Sequence, residues 1–243
     1  MWGRCAGPDD ASGRLGRLVN KLNTVLVLAI DTSTAAVTAG VVDLHGEPVV
    51  RAEQVHINAR GHAELLAPAI AACLSVAGTT PRELAAIVAG AGPGPYTGLR
   101  VGLVTAAVLA EALAIPAYGV GSLDAIALAN PGTGELLVAS DARRREVYWA
   151  RYDADGDRTT GPGVAAAADV PLGAAAAMAG AGARSYRDAF GLPQRPYDYP
   201  TAAALAARAA GRIRAGAPGE VLQPCYLRRP DAVAPGPAKR VSP

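Results

Sequence analysis

The amino-acid sequence predicts an α/β protein of two lobes, each containing a mixed β-sheet flanked by helices. In the first half of the chain, apolar segments of strand length alternate with segments of helical periodicity in the order β-β-β-α-β-α-β-α, which is typical of a mixed sheet covered by helices. Residues 131–134, Pro-Gly-Thr-Gly, are the strongest linker candidate. The first strand of each expected lobe ends in an aspartate, Asp31 and Asp141, which gives a weak internal repeat. We therefore expect a first lobe over residues 24–130 and a smaller second lobe over residues 135–229.

The first lobe is predicted to begin with the continuous apolar run 25–30, which is typical of a buried strand. Two further apolar segments follow with short polar turns between them, and this spacing predicts an antiparallel meander. The predicted strands of the lobe are residues 25–30, 36–42, 48–55, 86–91 and 117–120. The predicted helices are residues 62–76, 97–114 and 122–129, the second of them capped by Thr97.

The second lobe is predicted to begin with the apolar strand 136–140. A second strand, 146–152, ends at the aspartate-rich turn 153–157. Residues 161–191 are rich in alanine and glycine, so their pattern predicts no particular element. A helix is predicted over residues 201–214. The polar, glycine-rich residues 1–23 and the tail 230–243 are predicted to be disordered.

Composition excludes several classes of protein. Hydrophobic residues make up 51% of the 243 residues, which excludes a disordered chain, and a formal net charge of +2 excludes a strongly basic nucleic-acid binder. The three cysteines are far apart and odd in number, so a disulfide framework and a zinc knuckle are not expected and the cytoplasm is the natural location. The three histidines form no i,i+4 pair, so no helical metal site is expected. The apolar stretch 101–110 is bounded by Arg100 and Glu111, so we expect no membrane span.

The two aspartates lie where ATPases of the actin type hold a nucleotide. In such proteins, strands lead into Asp-x-Gly turns, whose aspartates manage Mg²⁺ and water and whose glycines let backbone amides approach phosphate. The first turn, which has serine in place of this glycine, is Asp31-Thr32-Ser33-Thr34. The second turn has Arg143 in the corresponding place after Asp141. Because side chains stand where phosphate oxygens would approach, we interpret both turns as degenerate and both aspartates as structural, with a residual nucleotide contact as the alternative.

Five segments, in order along the chain, are similar to the TsaB family. The most diagnostic is residues 92–102, Gly-Pro-Gly-Pro-Tyr-Thr-Gly-Leu-Arg-Val-Gly, which resembles the family block Gly-Pro-Gly-Ser-Phe-Thr-Gly-Leu-Arg but has Pro95 in place of the serine. The other similar segments are residues 28–34, 62–68, 141–148 and 224–228. The similarity spans about residues 25–230, although residues 160–200 match poorly. It implies an actin-like (ribonuclease H-like) form of the two-lobed fold.

The resemblance also implies a catalytically silent subunit. TsaB is a paralogue of TsaD, which transfers threonylcarbamoyl to N6 of adenosine 37 in tRNA and binds its metal through a His-x-x-x-His pair that opens a helix. The matching segment here, residues 119–126, has Ser122 and Ile126 in place of the two histidines. Isoleucine offers no ligand atom to a metal, so no catalytic residue, cofactor or metal is expected in this subunit. ATP and a metal are expected in partner subunits.

The long helix 97–114 is the candidate partner surface. Between residues 99 and 114 its only charged residues are Arg100 and Glu111, on nearly the same face. A helix apolar nearly all round is buried on more than one side, either beneath another helix of the same chain or against a partner. The first two helices of this chain resemble those through which TsaB proteins pair with TsaD or with a second copy of themselves. This resemblance favours burial against a partner. The expected interface residues are Leu65, Ile70, Arg100, Val104, Ala107 and Glu111, and the residues expected to face the sheet are Leu99, Leu103, Ala106 and Ala110.

These features predict a non-catalytic subunit that binds and activates a TsaD-type paralogue. A TsaE-type ATPase is expected as a third partner, L-threonylcarbamoyladenylate as an intermediate made elsewhere, and tRNA as a partner reached through the complex; a homodimer is the alternative assembly. Arg143, Arg144 and Arg145 are interpreted as solvated surface, with tRNA contact as the alternative.

Two other functions stay open. One is an actin-fold, ATP-dependent small-molecule kinase that would use Asp31 and Asp141 with Mg-ATP. The other is a peptidase of the glycoprotease type, although the sequence has no Gly-x-Ser-x-Gly elbow and Cys73 lies on an apolar helix face with no assigned histidine partner.

Overall fold

The computed structural model describes residues 24–228, which form two β-sheets with helices packed on both. We refer to the five-stranded sheet and its helices as the first lobe, and to the four-stranded sheet and its helices as the second lobe. The predicted α/β class and the order of elements in the first half of the chain are confirmed. The two segments predicted to be disordered, 1–23 and 230–243, lie outside the described residues.

The first sheet has the strand order β3-β2-β1-β4-β5. Its strands are β1 (Leu26–Asp31), β2 (Ala36–Asp43), β3 (Val49–Ile57), β4 (Ala86–Gly90) and β5 (Ala117–Val120). The first three strands form the expected antiparallel meander, whereas β4 and β5 add in parallel because helices connect them. Strand β1 is central and covered on both faces, which explains its continuous apolar run.

Three helices accompany this sheet along the chain: α1 (His62–Val76), α2 (Tyr96–Leu113) and α3 (Ser122–Ala129). Helices α1 and α2 cover one face, where alternate residues of β1 such as Leu28 and Ile30 enter the core. The residue that precedes helix α2 at its N-cap is Pro95, so the predicted cap at Thr97 is wrong. Thr97 lies inside the first turn because the proline, with φ near −60°, already sets the entry into the helix.

The second sheet has the strand order β8-β7-β6-β9. Its strands are β6 (Glu135–Asp141), β7 (Glu146–Tyr152), β8 (Arg158–Ala166) and β9 (Ala175–Ala179). Strands β6, β7 and β8 are antiparallel neighbours, and β9 pairs in parallel with β6. Two short helices follow, α4 (Ala181–Ser185) and α5 (Arg187–Phe190). The region for which the sequence predicted no element therefore supplies two strands and both short helices.

Helix α6 (Ala202–Arg214) does not cover the sheet of the lobe to which its place in the sequence assigns it. It packs on the open face of the first sheet, where Leu205, Ala209 and Ile213 meet Val27 and Ala29 of β1. This corrects the expected division, in which everything after residue 135 belonged to the second lobe. The chain then follows the first lobe as far as Cys225, whose amide donates to the Ala91 carbonyl at 2.8 Å.

The two lobes are joined by side chains of helix α3. Its residues Leu123, Ile126 and Ala127 belong to the core of the second lobe, whereas Ala125 belongs to the core of the first. At the same junction, Asp124 accepts a hydrogen bond from the Tyr152 hydroxyl at 2.8 Å. The cleft between the lobes therefore has walls that are fixed to each other by shared core.

Among the described residues, helix α2 is the one helix whose length and apolar composition would suffice to cross a membrane. Length and composition alone do not show a membrane span, because the core helix of a protein without one passes the same test. The buried face of α2 packs against β4 and helix α1, and Arg100 and Glu111 lie on its exposed face. This is the packing of a core helix that also presents a surface.

Candidate functional site

The turn that follows β1 is closed around the carboxylate of Asp31. Its Oδ1 accepts two hydrogen bonds of 2.8 Å, one from the backbone amide of Ser33 and one from the Ser33 hydroxyl. Its Oδ2 accepts a hydrogen bond of 2.5 Å from the hydroxyl of Ser122 at the start of helix α3. The side chain of Ser33, which replaces the expected glycine, therefore turns inward and bonds the aspartate.

Asp31 is also shut off from solvent by Gly90 at the end of β4. The residue is 1% exposed, and a Cβ atom added at Gly90 would lie only 1.7 Å from Asp31 Oδ2. Burial raises the pKa of this carboxyl, against the opposing effect of the hydrogen bonds from Ser122 and Ser33. Three of the roughly four lone-pair positions of this carboxylate are thus occupied by donors of the chain itself.

The glycines of the segment 92–102 allow helix α2 to rest on this turn. A Cβ atom at Gly94 would lie 2.2 Å from the Ser33 carbonyl oxygen, and one at Gly102 would lie 2.5 Å from Thr32 Oγ1. The Thr32 hydroxyl donates to the Gly98 carbonyl at 2.7 Å and accepts from the Gly102 amide at 2.9 Å. The most diagnostic motif of the sequence thus packs its backbone directly against the first turn.

The two residues that replace the expected histidine pair have different surroundings. Ser122 is fully buried and, besides donating to Asp31, accepts from the Gly92 amide at 3.1 Å. Ile126 is fully buried in the core between the lobes. Among residues 24–228, no group of three or more histidine, cysteine, aspartate or glutamate side chains is placed to hold a metal ion.

A cleft of about 450 Å³ remains between the lobes, lined by Thr34, His62 and Tyr96 on one side and by Asp141 and Arg143 on the other. His62 is nearly buried, and its Nε2–H donates to the Thr34 carbonyl at 2.7 Å. This bond fixes the ring at the start of helix α1, in agreement with a helix-start role. The cleft therefore retains volume, although Asp31 does not line it and Asp141 does.

The second turn, between β6 and β7, differs from the first in being exposed. Asp141 Oδ1 accepts from the Arg143 amide at 3.0 Å, and the Arg143 guanidinium lies 4.0 Å from Asp141 Oδ2. Arg143, Arg144 and Arg145 have φ angles of 63°, 56° and 64°, in the left-handed region. The backbone at Arg143 thus keeps a conformation suited to glycine, while the side chain is arginine.

The stripe predicted on the long helix faces outward. Arg100, Val104, Ala107 and Glu111 are all exposed, Val104 to 59%, and the four residues predicted to face the sheet, Leu99, Leu103, Ala106 and Ala110, are all buried. Arg100 is held within the chain, because its Nε donates to the Tyr226 hydroxyl at 3.1 Å and its guanidinium lies 4.2 Å above the Tyr96 ring.

The two interface residues predicted on helix α1 differ in exposure. Leu65 is half-buried at the edge of the core. Ile70 is 8% exposed and packs in the core of the first lobe, so its placement on a partner face is wrong. The helical period alone cannot distinguish which apolar stripe of α1 meets the sheet.

The candidate peptidase nucleophile lies in an unsuitable environment. Cys73 is fully buried, and its Sγ donates to the Ala39 carbonyl at 3.2 Å. Burial raises the pKa of the thiol to about 11. Since a cysteine nucleophile reacts as the thiolate, this side chain is not suited to peptidase chemistry.

Sequence reasoning did not foresee the contacts of the C-terminal segment. Tyr226 stacks on Tyr96 with ring centroids 4.9 Å apart, and Arg228 donates to the Ala142 carbonyl at 2.9 Å. Residues 224–228 are one of the segments similar to the TsaB family, but no local pattern in them indicates that they contact helix α2 and the second turn.

Comparison with known proteins agrees with this fold. The family model described as "TsaD: tRNA N6-adenosine threonylcarbamoyltransferase" matches residues 53–198. A protein of Mycobacterium tuberculosis described as uncharacterized is 50% identical over 214 residues, which cover 88% of this chain and 97% of that protein. The Escherichia coli tRNA threonylcarbamoyladenosine biosynthesis protein TsaB is 36% identical over 132 residues, 53% of this chain and 55% of TsaB. The alignment therefore spans about half of each chain.

The solved structure of YeaZ from Pseudomonas aeruginosa superposes with a TM-score of 0.68 at 30% identity and covers 84% of this chain and 100% of YeaZ. The predicted actin-like, ribonuclease H-like fold is confirmed by this likeness. The match to the TsaD family model indicates the wider group that includes TsaD and its paralogues. The matches to TsaB and to the YeaZ structure indicate the TsaB family within that group. With its enclosed Asp31 turn and its glycine segment, this chain belongs to the TsaB (YeaZ) family.

Proposed function

We propose that this chain is a non-catalytic subunit in the biosynthesis of threonylcarbamoyladenosine on tRNA, and that it binds and activates a TsaD-type paralogue. The observation that carries the proposal is an exposed apolar face on helices α1 and α2 in a member of the TsaB family. The named relatives take part in this biosynthesis by their descriptions. ATP and the metal would be held by the partners, one of which we expect to be a TsaE-type ATPase.

The partner face is formed by the outward side of helix α2 and the end of α1. Val104 and Val108 are 59% and 61% exposed and lie one turn apart, with Ala107 between them. Val76 at the end of α1 is 69% exposed. Large apolar side chains exposed on helices that pack against each other are typical of a surface that a second protein covers.

A TsaD-type protein suits this face because the chain itself matches the TsaD family model over residues 53–198, which include both helices. Two proteins of one fold can pair related surfaces around a pseudo-twofold axis, as identical copies pair around a true one. A homodimer through the same helices is therefore the competing assembly, and the two assemblies would exclude each other.

Several contacts support the absence of catalysis in this subunit. The lone pairs of Asp31 that would serve Mg²⁺ are bonded to Ser33 and Ser122. At the position of the second metal ligand of TsaD, Ile126 fills the core. The kinase alternative requires the Asp31 carboxylate to face the cleft. Asp31 is buried and does not line the cleft, so the structure disfavours a kinase.

Titration of a TsaD-type partner with the Ala107→Arg variant tests the face. A cation placed in the centre of a helix–helix contact costs several kcal/mol, whereas a micromolar complex has about 8 kcal/mol in total. We expect binding to be lost and the thermal melt of the free variant to remain native, since the new side chain reaches water there. The matched control is Ala189→Arg, an exposed helical alanine of the second lobe, which should bind normally. Normal binding by Ala107→Arg with a native melt would reject this face.

A further inference from the structure

We propose that an exposed surface beside the cleft binds a single-stranded segment of RNA directly. It consists of Arg60, Tyr96, Arg143, Arg144 and Tyr226, and we call it the arginine–tyrosine surface. The inference rests on the proposed function only for the identity of the RNA, a tRNA; the chemistry of the surface is argued from the structure alone.

Two tyrosines form an ordered stacking platform. The rings of Tyr96 and Tyr226 lie 4.9 Å apart with 26° between their planes, and they remain 42% and 37% exposed. Arg100 fixes the pair by lying over the Tyr96 ring at 4.2 Å and donating to the Tyr226 hydroxyl at 3.1 Å. Exposed aromatic rings held in place are the surfaces on which unpaired bases stack.

Positive charge surrounds this platform. Arg143 and Arg144 line a cavity of about 280 Å³ together with both tyrosines. Arg60 and Arg143 line the adjoining cleft of about 450 Å³, which Tyr96 also borders. Asp141 is the one carboxylate among the described residues that line either cavity. Since the whole chain carries a net charge of only +2, this is a local accumulation.

The arginines are held in an unfavourable backbone conformation. Three consecutive residues, Arg143 to Arg145, have φ between 56° and 64°, where glycine is favoured and side chains are rare. The turn is nevertheless fixed by bonds from the Ala142 amide to Glu146 and from the Glu146 amide to Arg143, at 2.9 and 3.0 Å. Arginine in a position suited to glycine indicates that the side chain serves a purpose other than folding, because such strain collects at functional sites.

The turn and the platform are also fixed relative to each other. Arg228, two residues after Tyr226, donates to the Ala142 carbonyl at 2.9 Å and pairs with Glu146. Because both of these contacts tie Arg228 to the second turn, it is counted as a connection and not as part of the surface. The surface is thus preorganised by contacts that bridge the first lobe, the C-terminal segment and the second lobe.

The arrangement fits several phosphates with unpaired bases between them. Arginines on two lobes flank a platform for stacking, and two cavities adjoin at Tyr96. The base faces of a duplex are covered by stacking, so a loop or another single-stranded segment is the ligand that fits the tyrosine platform. A free nucleotide shares the phosphate and the base but would engage only part of the surface.

Fluorescence anisotropy with the labelled anticodon stem–loop of the native tRNA tests the proposal, with the full chain alone and with its TsaD-type partner. We compare the wild type with the double variant Arg143→Gln/Arg144→Gln across a range of salt. For single strands each lost phosphate contact lowers the slope of log affinity against log salt by about 0.7, so we expect a decrease of about 1.4. The control is Arg82→Gln/Arg187→Gln, two exposed arginines outside the surface, which should leave the slope unchanged.

A second set of variants tests stacking independently of charge. Tyr226→Ala should weaken binding about 5- to 150-fold, the range expected for one stacked base, whereas Tyr226→Phe should bind nearly as the wild type. Arg60→Gln, on a different segment, replaces the double variant if that variant does not fold, and it should lower the slope by about 0.7.

Equal binding by the wild type, the double variant and Tyr226→Ala would overturn the proposal, as would the absence of RNA binding with and without the partner. Displacement of the RNA by AMP, at AMP concentrations near the dissociation constant of the RNA, would overturn the proposal in favour of a free nucleotide as the ligand. Weaker binding of a fully paired RNA of equal length supports the single-stranded segment. If tRNA modification depends on the chain while these variants bind RNA normally, this inference fails and the proposed function stands.

Discussion

Substitutions of Asp31 separate a structural aspartate from a catalytic one. We expect Asp31→Ala to destabilise the fold strongly and Asp31→Asn to leave it folded and at least as stable near neutral pH. The reason lies in three donors that converge on the carboxylate: the Ser33 amide, the Ser33 hydroxyl and the Ser122 hydroxyl. Alanine removes every acceptor, whereas asparagine keeps Oδ1 for Ser33 and can donate its amide to the free lone pair of Ser122 Oγ.

The magnitude follows from these bonds. The Ser33 amide is buried and cannot reorient, so leaving it unsatisfied costs about 1–3 kcal/mol, and each hydroxyl loses a net contribution of about 1 kcal/mol. Removal of a buried charge offsets part of this loss. A net destabilisation of about 3 kcal/mol corresponds to a decrease of roughly 6–12 °C in Tm for a chain of this size. Asp141→Ala is the matched control, because the second aspartate is exposed and its loss should cost little.

The pH dependence of Asp31→Asn provides an independent check. Burial raises the pKa of Asp31 in the folded protein, chiefly by desolvation of the charged form. The folded state therefore holds the proton more tightly than the unfolded state, and this contribution to stability is present at low pH and lost as pH rises through the folded pKa. Asparagine does not titrate, so the stability of Asp31→Asn relative to wild type should increase from acid to neutral pH.

The assays are chemical denaturation at several pH values and ATP turnover by the purified chain. The structural interpretation expects a stability order of Asn, then wild type, then Ala near neutral pH, with no ATP turnover above background in any of them. Asn destabilised as much as Ala would refute the bonding argument. A steady Mg-dependent turnover in the wild type that disappears in Asp31→Asn would refute the silent role and favour the kinase alternative.

Three further predictions concern packing, strain and the pathway. Gly94→Ala should lower the free energy of unfolding by about 1–3 kcal/mol in chemical denaturation, because its Cβ would lie 2.2 Å from the Ser33 carbonyl oxygen. The control Gly211→Ala has no atom within 4 Å of its Cβ and should be neutral or stabilising. Equal effects of the two substitutions would contradict the close approach of helix α2 to the first turn. Arg144→Gly should raise stability by up to about 1 kcal/mol in a thermal melt by relieving a φ of 56°, while weakening RNA binding; a lower Tm would argue that the arginine serves folding. Depletion of the protein should reduce threonylcarbamoyladenosine in bulk tRNA measured by nucleoside mass spectrometry, and an Ala107→Arg gene should fail to restore it; unchanged levels after complete depletion would reject the pathway assignment.

The parts of the fold that a local pattern encodes could be predicted from the sequence. The period of helix α2 separated the buried Leu99 and Leu103 from the exposed Arg100 and Val104. The continuous apolar run of β1 indicated a strand covered on both sides, and the short turns of the meander fixed its antiparallel pairing. In each case the signal is a contrast between neighbours in sequence, and the physical cause acts over a few residues.

The parts that depend on distant contacts could not be predicted. Helix α6 has a clear apolar stripe, but no feature of that stripe distinguishes the first sheet from the second. In residues 161–191, alanine and glycine give too little contrast between the faces of a strand for β8 and β9 to be assigned. The bond from Ser122 to Asp31 joins residues that are 91 positions apart, so Ser122 could be noticed only as the absence of a histidine.

Two hydroxyl side chains, those of Ser33 and Ser122, stabilise the first turn. A glycine at position 33 would leave Asp31 with one donor fewer, and a residue without a hydroxyl at 122 would remove another. Burying a carboxylate without such donors is strongly unfavourable, so the enclosure of Asp31 depends on these internal hydrogen bonds. In the second turn arginine occupies a backbone conformation that favours glycine, and Asp141 stays exposed. The first turn is thus part of the core, whereas the second presents charge to the cleft. This asymmetry is why we place RNA contact beside the second turn, where side chains of both lobes contribute, and partner contact on the helices of the first lobe.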